Sequence, residues 1–445
     1  MDDARLPAAR PGLSSPLLRA LRHRNYRLFF VGQGISLVGT WLSRAATSWL
    51  VYRLTDSALL LGVLGFAGQI PMFFLAPLGG ALVDRWDRRR ILIATQVLSM
   101  LQSFTLAVLA LTQVITVTHV VILSVFQGLL NALDVPARQS YVIDLVEGNE
   151  DLPNAIALNS SMFNAARLVG PAIGGILIAS VGEGYCFLID GFSYLAVVAS
   201  LLAIRVQPPV GRATTAAVLR GVQEGISYAF GFAPIRSILI LIAVVSLLAM
   251  PHAVLMPVFA RDVLAGGPST LGFLMAASGV GALLGAFYLA SRKTVRGLGR
   301  LIAAMGALSG VSLAAFSQSR AIWLSLPLMA LAGFGILVLT ASSNTVLQTI
   351  VEDDKRGRVM SLYAVAFLGV TPVGSLLAGA LANGIGAPTT VLLGGIGCLG
   401  SAAAFFRKIP SLREQVLPIY VEKGIVPEVA TAIQTATALT ELPKK

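Results

Sequence analysis

Leu54-Thr55-Asp56-Ser57-Ala58-Leu59-Leu60-Leu61-Gly62 closes one long apolar segment and opens the next, and Leu264-Ala265-Gly266-Gly267-Pro268-Ser269-Thr270-Leu271-Gly272 does the same 210 positions later. A second stretch, Gly170-Pro171-Ala172-Ile173-Gly174-Gly175, has a weaker echo at Gly374-Ser375-Leu376-Leu377-Ala378-Gly379. The chain therefore reads as two related halves. A membrane chain built as two related bundles can rock them around a site at their interface, so the duplication predicts a transporter before any single residue does.

Working outward, the composition agrees. The 445 residues are 56% hydrophobic and 12% charged, with a mean hydropathy of +0.80, against about 25% charged in ordinary soluble domains. So much apolar surface requires lipid as its solvent. Six arginines in residues 1–27 precede the first apolar run, which predicts a cytoplasmic start with no cleavable signal. The two cysteines, Cys186 and Cys398, fall in apolar segments, which excludes a disulfide framework and a cysteine-based metal site.

Twelve segments have the ~20 mostly apolar residues needed to span a bilayer. They are 26–53, 58–83, 91–112, 115–134, 154–180, 185–204, 235–260, 270–291, 299–317, 321–347, 358–382 and 388–406. With the N-terminus inside, the inner side carries 28 Lys and Arg and the outer side three (Arg53, Arg261 and Arg320), with Arg44 and Arg167 inside helices. This is a strong positive-inside bias, and it explains the net charge of +12 as topology rather than affinity for nucleic acid. Both termini are expected in the cytoplasm and the protein in the plasma (bacterial inner) membrane. The expected organisation is an N-terminal arm (1–25), a six-helix bundle (26–204), a linker (205–234), a second six-helix bundle (235–408) and a tail (409–445). Within the linker, Leu219, Val222, Ile226, Ala229 and Phe230 share one face, which predicts an amphipathic surface helix over 216–232. Pro427-Glu428 reads as the start of another short helix.

The loop after the second segment reads Gly80-Ala81-Leu82-Val83-Asp84-Arg85-Trp86-Asp87-Arg88-Arg89-Arg90. It resembles the cytoplasmic loop signature of the major facilitator superfamily at Gly80, Asp84, Arg85, Arg88 and Arg89, with Asp87 where the family usually has glycine. The resemblance implies an all-α membrane fold of twelve helices in two pseudo-symmetric bundles. It also implies that Asp84 meets the N-terminus of helix 11 when the cytoplasmic side is closed. An anion there is stabilised by the helix dipole and free N–H groups. Arg88 is expected to pair with Asp134. Gly170-Pro171 with Gly174 and Gly175 resembles the helix 5 signature of the antiporter branch and implies export. The small residues would admit a close helix contact sealing the outer side, with Ser278, Gly281 and Gly285 offering the matching face on helix 8. Asn131-Ala132-Leu133-Asp134-Val135-Pro136-Ala137-Arg138-Gln139, placed between helices 4 and 5, with Arg24-Asn25-Tyr26-Arg27 and Leu54-Thr55-Asp56-Ser57, is similar to the enterobactin exporters and macrolide-efflux proteins. The arginine that many drug:proton antiporters carry before Gln127-Gly128 is absent.

Charges inside the membrane each need a reason, since they cost about 3 kcal/mol or more at the centre. Arg44 and Asp190 have similar depths and opposite signs, so a pair between them is expected, with a proton or substrate site as the alternative. Arg167 has no acid at its depth and suits an anionic substrate, a coupling role, or bonds to carbonyls near Pro171. Gln33, Gln69, Gln127, Asn131, Asn159, Asn164, His252 and Asn344 are weaker candidates for lining the path. No ATP-binding motif is present, and His23, His119 and His252 do not cluster as an enzyme centre would require. The expectation is a monomeric secondary transporter with no cofactor or metal, exporting a small amphipathic molecule (a siderophore, macrolide or other drug-like compound) against protons. A transporter-like sensor or scaffold is the alternative.

Overall fold

In the computed structural model the described residues are 16–83, 86–146, 150–204, 226–292, 294–423 and 425, with only the backbone described at 16, 17 and 76–82. The long helices among them are α1 (Arg24–Thr55), α2 (Ala58–Val83), α3 (Arg88–Leu111), α4 (Val117–Asp144), α5 (Leu152–Val181) and α6 (Glu183–Ala203). They continue as α7 (Ala233–Val263), α8 (Pro268–Ser291), α9 (Leu298–Gln318), α10 (Ile322–Ile350), α11 (Arg356–Ile385) and α12 (Ala387–Glu422). Every one of these except α1 is long and apolar enough over its length to cross a membrane, eleven in all among the described residues. α1 falls short because Arg24, Arg27, Arg44 and Arg53 dilute its apolar run.

Local chemistry sets the ends. Asp87 caps α3 by accepting from the N–H groups of Arg89 (2.9 Å) and Arg90 (3.3 Å). Its φ is −63°, so the turn where glycine was expected needs no positive φ, and the aspartate serves as an N-cap. Thr116 and His119 form a reciprocal capping box on α4. Gly182 (φ 92°) ends α5 and Gly386 (φ 85°) ends α11, 204 positions apart, in backbone conformations that side chains rarely adopt.

Two helices run well past their sequence limits, and a third is broken. α4 passes through Pro136 to Asp144, so the Asn131–Gln139 stretch lies within a helix and not between two. Proline reads as a stop, but tertiary contacts hold this one: Ala137, Tyr141 and Val142 are buried in a cluster with Phe29 of α1. α12 continues through Pro410 and Pro418 to Glu422, and Lys423 Nζ donates to Thr349 O at 2.8 Å, tying that extension to α10. α7 breaks at Ala249–Pro251 and ends in a π-helical turn, Phe259–Val263. A second π turn, Val365–Gly369, interrupts α11. In the linker, residues 226–231 are helical, whereas 205–225 lie outside the described residues, as do residues 1–15 and Pro427-Glu428.

The packing repeats. α1 packs on α5 and α6, α3 on α4 and α6, and α2 on α4; α7 packs on α11 and α12, α9 on α10 and α12, and α8 on α10. Adding six to each helix number in the first set generates the second. Glycine contacts repeat with it. A Cβ on Gly128 would lie 2.6 Å from Gly68 O between α4 and α2, and one on Gly333 would lie 2.1 Å from Ser278 O between α10 and α8. Gly281 and Gly285 also face α10, against Ala330 and Phe334. The Ser278-Gly281-Gly285 face is therefore not the surface α5 uses, because residues three and four apart lie on one side of a helix and that side belongs to α10.

Candidate transport site

Two helix pairs make the broadest contacts between the first six helices and the last six: α2 with α11, and α5 with α8. Their closest approaches are glycine on glycine. A Cβ on Gly272 would lie 2.5 Å from Pro171 O and 2.9 Å from Gly175 Cα; one on Gly379 would lie 2.7 Å from both Ala58 O and Gly62 Cα. Gly62 and Gly272 are the last residues of the 210-offset repeat, and Gly175 and Gly379 the last of the other. The repeated motifs thus meet each other crosswise, at the end of the molecule away from the arginine-rich loops.

A polar cluster lies at the same arginine-poor end. The Tyr52 hydroxyl donates to the Asp262 carboxylate, and Arg261 donates to Asp56. The Arg261 guanidinium also stands 5.7 Å from the Tyr52 ring centroid. Tyr52 and Asp262 are 210 positions apart, the offset of the repeat itself. A residue touching its own counterpart sits on a two-fold axis. Arg261 and Asp262 belong to the π turn that ends α7, a backbone irregularity frequent at functional sites. Ser269 Oγ donates to Gly175 O at 3.4 Å beside them. Toward the arginine-rich end, α5 carries exposed Ile156 and Phe163 instead of a comparable glycine contact.

Within α1 and α5, two cations approach the Trp41 ring, with the Arg44 guanidinium 4.9 Å and the Arg167 guanidinium 5.8 Å from its centroid. Gly170 makes this possible, since a Cβ there would lie 2.5 Å from Trp41 Cβ. Arg44 is one turn beyond Trp41 on α1, and Arg167 one turn before Gly170 on α5. Arg44 has Arg138, Asp190 and Tyr194 as electrostatic neighbours, on α4 and α6, and Arg167 has Arg44 and the α7 residue His252. The guanidinia therefore face the interior. Neither forms an ion pair within 4 Å among the described residues. A cation–π contact contributes about 0.5–2 kcal/mol, against about 2.5–3.5 kcal/mol to hold one arginine at the centre of a membrane helix. Stacking on one indole does not offset two such charges.

The expected Arg44–Asp190 pair is not formed. Gly39 is the α1 residue that faces Asp190, with its Cβ position 2.9 Å from Asp190 Oδ1. Arg44 is five residues further on, about 140° around a helix of 3.6 residues per turn, so similar depth does not put the two on one face. Asp190 Oδ2 instead accepts from Ser103 Oγ at 2.7 Å, and Oδ1 is buried without a hydrogen-bond partner. Arg88 likewise does not meet Asp134. It donates to Asp144 at 2.9 and 3.1 Å, an acid that α4 reaches only by running past Pro136. Asp134 accepts from Gln96 Nε2 (2.7 Å) and Thr95 Oγ1 (3.0 Å) and lies 3.5 Å from Arg138. Arg89 closes the carboxyl end of α6, donating to Leu201 O (2.8 Å) and Leu202 O (2.9 Å). Asp84 and Arg85 lie outside the described residues, and Gly80 is described as α2 backbone alone.

The weaker candidates scatter. Gln69 Nε2 donates to Gly65 O (3.0 Å), Asn164 Nδ2 to Ser160 O (2.9 Å), and Gln127 Nε2 to Ser99 Oγ (3.2 Å) and Asn131 Oδ1 (3.3 Å). Asn344 accepts from Gln348 Nε2, Gln33 is buried in α1, and Asn159 is half-buried on α5. His252 Nδ1 donates to Ala249 O at 2.6 Å, and Nε2 is buried without a partner. Sequence reasoning missed Trp41, Tyr52, Ser103, Asp144 and Asp262. The 210 offset between Tyr52 and Asp262 was the one available signal.

A multi-pass helical bundle with paired glycine contacts between its halves at one end and cations in its interior is a transporter of the major facilitator type. Residues 15–435 match the transmembrane secretion effector family, and the chain belongs to that family. It is 29% identical over 394 residues to the multidrug efflux pump Tap of Mycolicibacterium fortuitum, covering 86% of this chain and 93% of that protein. It is 24% identical to the staphyloferrin A transporter of Staphylococcus aureus (85% and 95% covered) and 23% identical to macrolide efflux protein A of Streptococcus pyogenes (88% and 99%). Among solved structures, a bacterial homologue of the human lysosomal transporter Spinster, inward-facing and unoccupied, superposes with a TM-score of 0.68 at 15% identity, covering 91% of this chain and 99% of that one. A POT family transporter in complex with 5-aminolevulinic acid gives 0.71 at 11% identity, covering 87% and 96%.

Proposed function

We propose that the protein exports a small amphipathic organic molecule from the bacterial cytoplasm by alternating access. Twelve helices would span the inner membrane as two bundles, 26–204 and 235–408, with both termini inside. The observation that carries this reading is the contact of Tyr52 with its counterpart Asp262 on a two-fold axis, beside the crossed glycine pairs. Such a seal closes one end while the halves can separate at the other, and rocking about the axis exchanges the two states. The efflux functions named for the relatives supply the direction, and their named cargoes supply the class of siderophore, macrolide or other drug-like compound. Proton antiport would drive the cycle. Asp190 is the candidate carrier, because a buried carboxyl oxygen without a donor is where a proton can be held. One monomer suffices for this cycle.

The test is flux from proteoliposomes loaded with erythromycin or with a fluorescent organic carboxylate, under an imposed pH gradient and with a protonophore control. Gradient-driven flux that the protonophore abolishes is expected for at least one of the two. Binding with no flux of either would replace the transporter reading with that of a sensor. Flux indifferent to gradient and protonophore would remove the proton.

A further inference from the structure

The halves of this protein repeat where helices pack, and the cation pair is where they do not. Gly170 meets Val38 O and Trp41 on α1; its counterpart Gly374 meets Leu247 O (2.6 Å) and Pro251 on α7. The same backbone contact is built twice, so the fold requires it. At the 210 offset Trp41 corresponds to Pro251 and Arg44 to Val254; at the 204 offset Arg167 corresponds to Thr371. Val254 packs against Gly65, with a Cβ on that glycine falling 3.2 Å from Val254 Cγ2. At these three counterpart positions the second copy of this helix pair carries no aromatic ring and no charge. Packing does not need Trp41, Arg44 or Arg167.

We infer that the Arg44–Trp41–Arg167 stack is the headgroup site for the cargo, and that the cargo is an organic anion, a carboxylate attached to an apolar or aromatic body. This rests on the transport reading above and narrows its substrate class. Two guanidinia without ion-pair partners among the described residues leave a net positive interior that an anionic group would neutralise. Guanidinium forks match carboxylate geometry, and the indole that both approach offers an apolar surface to the rest of the molecule. Asp190, the nearby acid, is turned toward Ser103 and the Gly39 backbone and forms no ion pair with either cation. A cationic drug would meet repulsion from both arginines, and no carboxylate pairs with them to receive it.

The test uses the full-length chain in lipid nanodiscs and needs no transport. Carboxyfluorescein and ethidium, an anionic and a cationic aromatic dye, are titrated against the wild type, Arg44→Gln, Arg167→Gln and Arg167→Lys by fluorescence anisotropy. The wild type is expected to prefer carboxyfluorescein. Each Gln variant should lose about tenfold or more of that affinity, the range of one charge-assisted hydrogen bond, without weakening ethidium, and Arg167→Lys should retain part of it. A parallel readout removes dependence on dye shape and on folding. With Trp49, Trp86 and Trp323 changed to Phe, quenching of Trp41 by iodide relative to acrylamide should fall several-fold in either Gln variant, and an unchanged acrylamide response will show that the fold persists. Equal affinity for both dyes, no binding of carboxyfluorescein, or an iodide response indifferent to both substitutions would overturn the proposal. Binding of the anion with no flux in proteoliposomes would leave the site standing and remove the transport reading instead.

Discussion

Gly272→Ala is expected to open the arginine-poor end. The added Cβ would stand 2.5 Å from Pro171 O, 0.9 Å short of the 3.4 Å at which ordinary contact begins, and 2.9 Å from Gly175 Cα, 0.5 Å short. Both neighbours are helix backbone, so relief requires α8 and α5 to separate. Overpacking of this kind costs about 1–3 kcal/mol. The cost falls only on the conformer closed at this end, because in the other the two helices are apart. The better helix propensity of alanine, about 0.8–1.0 kcal/mol, applies to both conformers and cancels from their ratio. A shift of about 1–3 kcal/mol changes that ratio by about 5–150-fold. Spin labels at Ser57→Cys and Ala265→Cys flank the seal, and the native Cys186 and Cys398 are buried. Pulsed electron–electron distances in nanodiscs should show the short distance dominant in the wild type and a long one populated in Gly272→Ala. Gly379→Ala should act alike, since its Cβ meets Ala58 O and Gly62 at 2.7 Å. Gly299→Ala, which has open space around it, should not. Unchanged distances in Gly272→Ala, or an equal shift in Gly299→Ala, would refute the reasoning.

Tyr52→Phe and Asp262→Asn should each shift the same distances the same way by a comparable amount, since a hydrogen bond to a charged group contributes about 1.5–3 kcal/mol net of its exchange with water; no shift in either would remove the axis contact from the seal. In detergent unfolding, Arg88→Ala and Asp144→Ala should couple by about 0.5–3 kcal/mol, whereas Arg88→Ala with Asp134→Ala should add within about 0.5 kcal/mol. The reverse ordering of the two cycles would reject the pairing described. Asp190→Asn should abolish the pH dependence of flux while sparing downhill movement, and a retained pH response would exclude that carboxyl as the proton carrier. Asp84→Asn should slow transport with folding intact, through loss of an anion at a helix N-terminus worth about 0.3–1 kcal/mol; transport at the wild-type rate would dismiss the role its motif implies.

Eleven of the twelve expected spans, their order and the approximate ends of most of them were legible because each membrane segment must satisfy its own backbone bonds and announce itself as an apolar run. Ends were misplaced where a proline reads as a stop yet side-chain packing carries the helix through, at Pro136 and Pro410. The loop signature singled out Arg88 and Arg89 and paired Arg88 with Asp134, whereas their partners are Asp144 and the α6 carbonyls. Depth alone paired Arg44 with Asp190 and missed that helical phase puts them on different sides of α1.

The repeat, the charge asymmetry and the presence of Arg44 and Arg167 inside apolar segments are properties of the sequence, since duplication, composition and helix-length apolar runs are one-dimensional. Which glycines meet across the halves, that Tyr52 and Asp262 touch at the repeat offset, and that Arg44 and Arg167 converge on Trp41 were decided by the tertiary structure alone. The physical reason is that contacts between helices depend on rotation about each helix axis. An error of one residue turns a side chain by about 100°, and only packing against the neighbours fixes that angle.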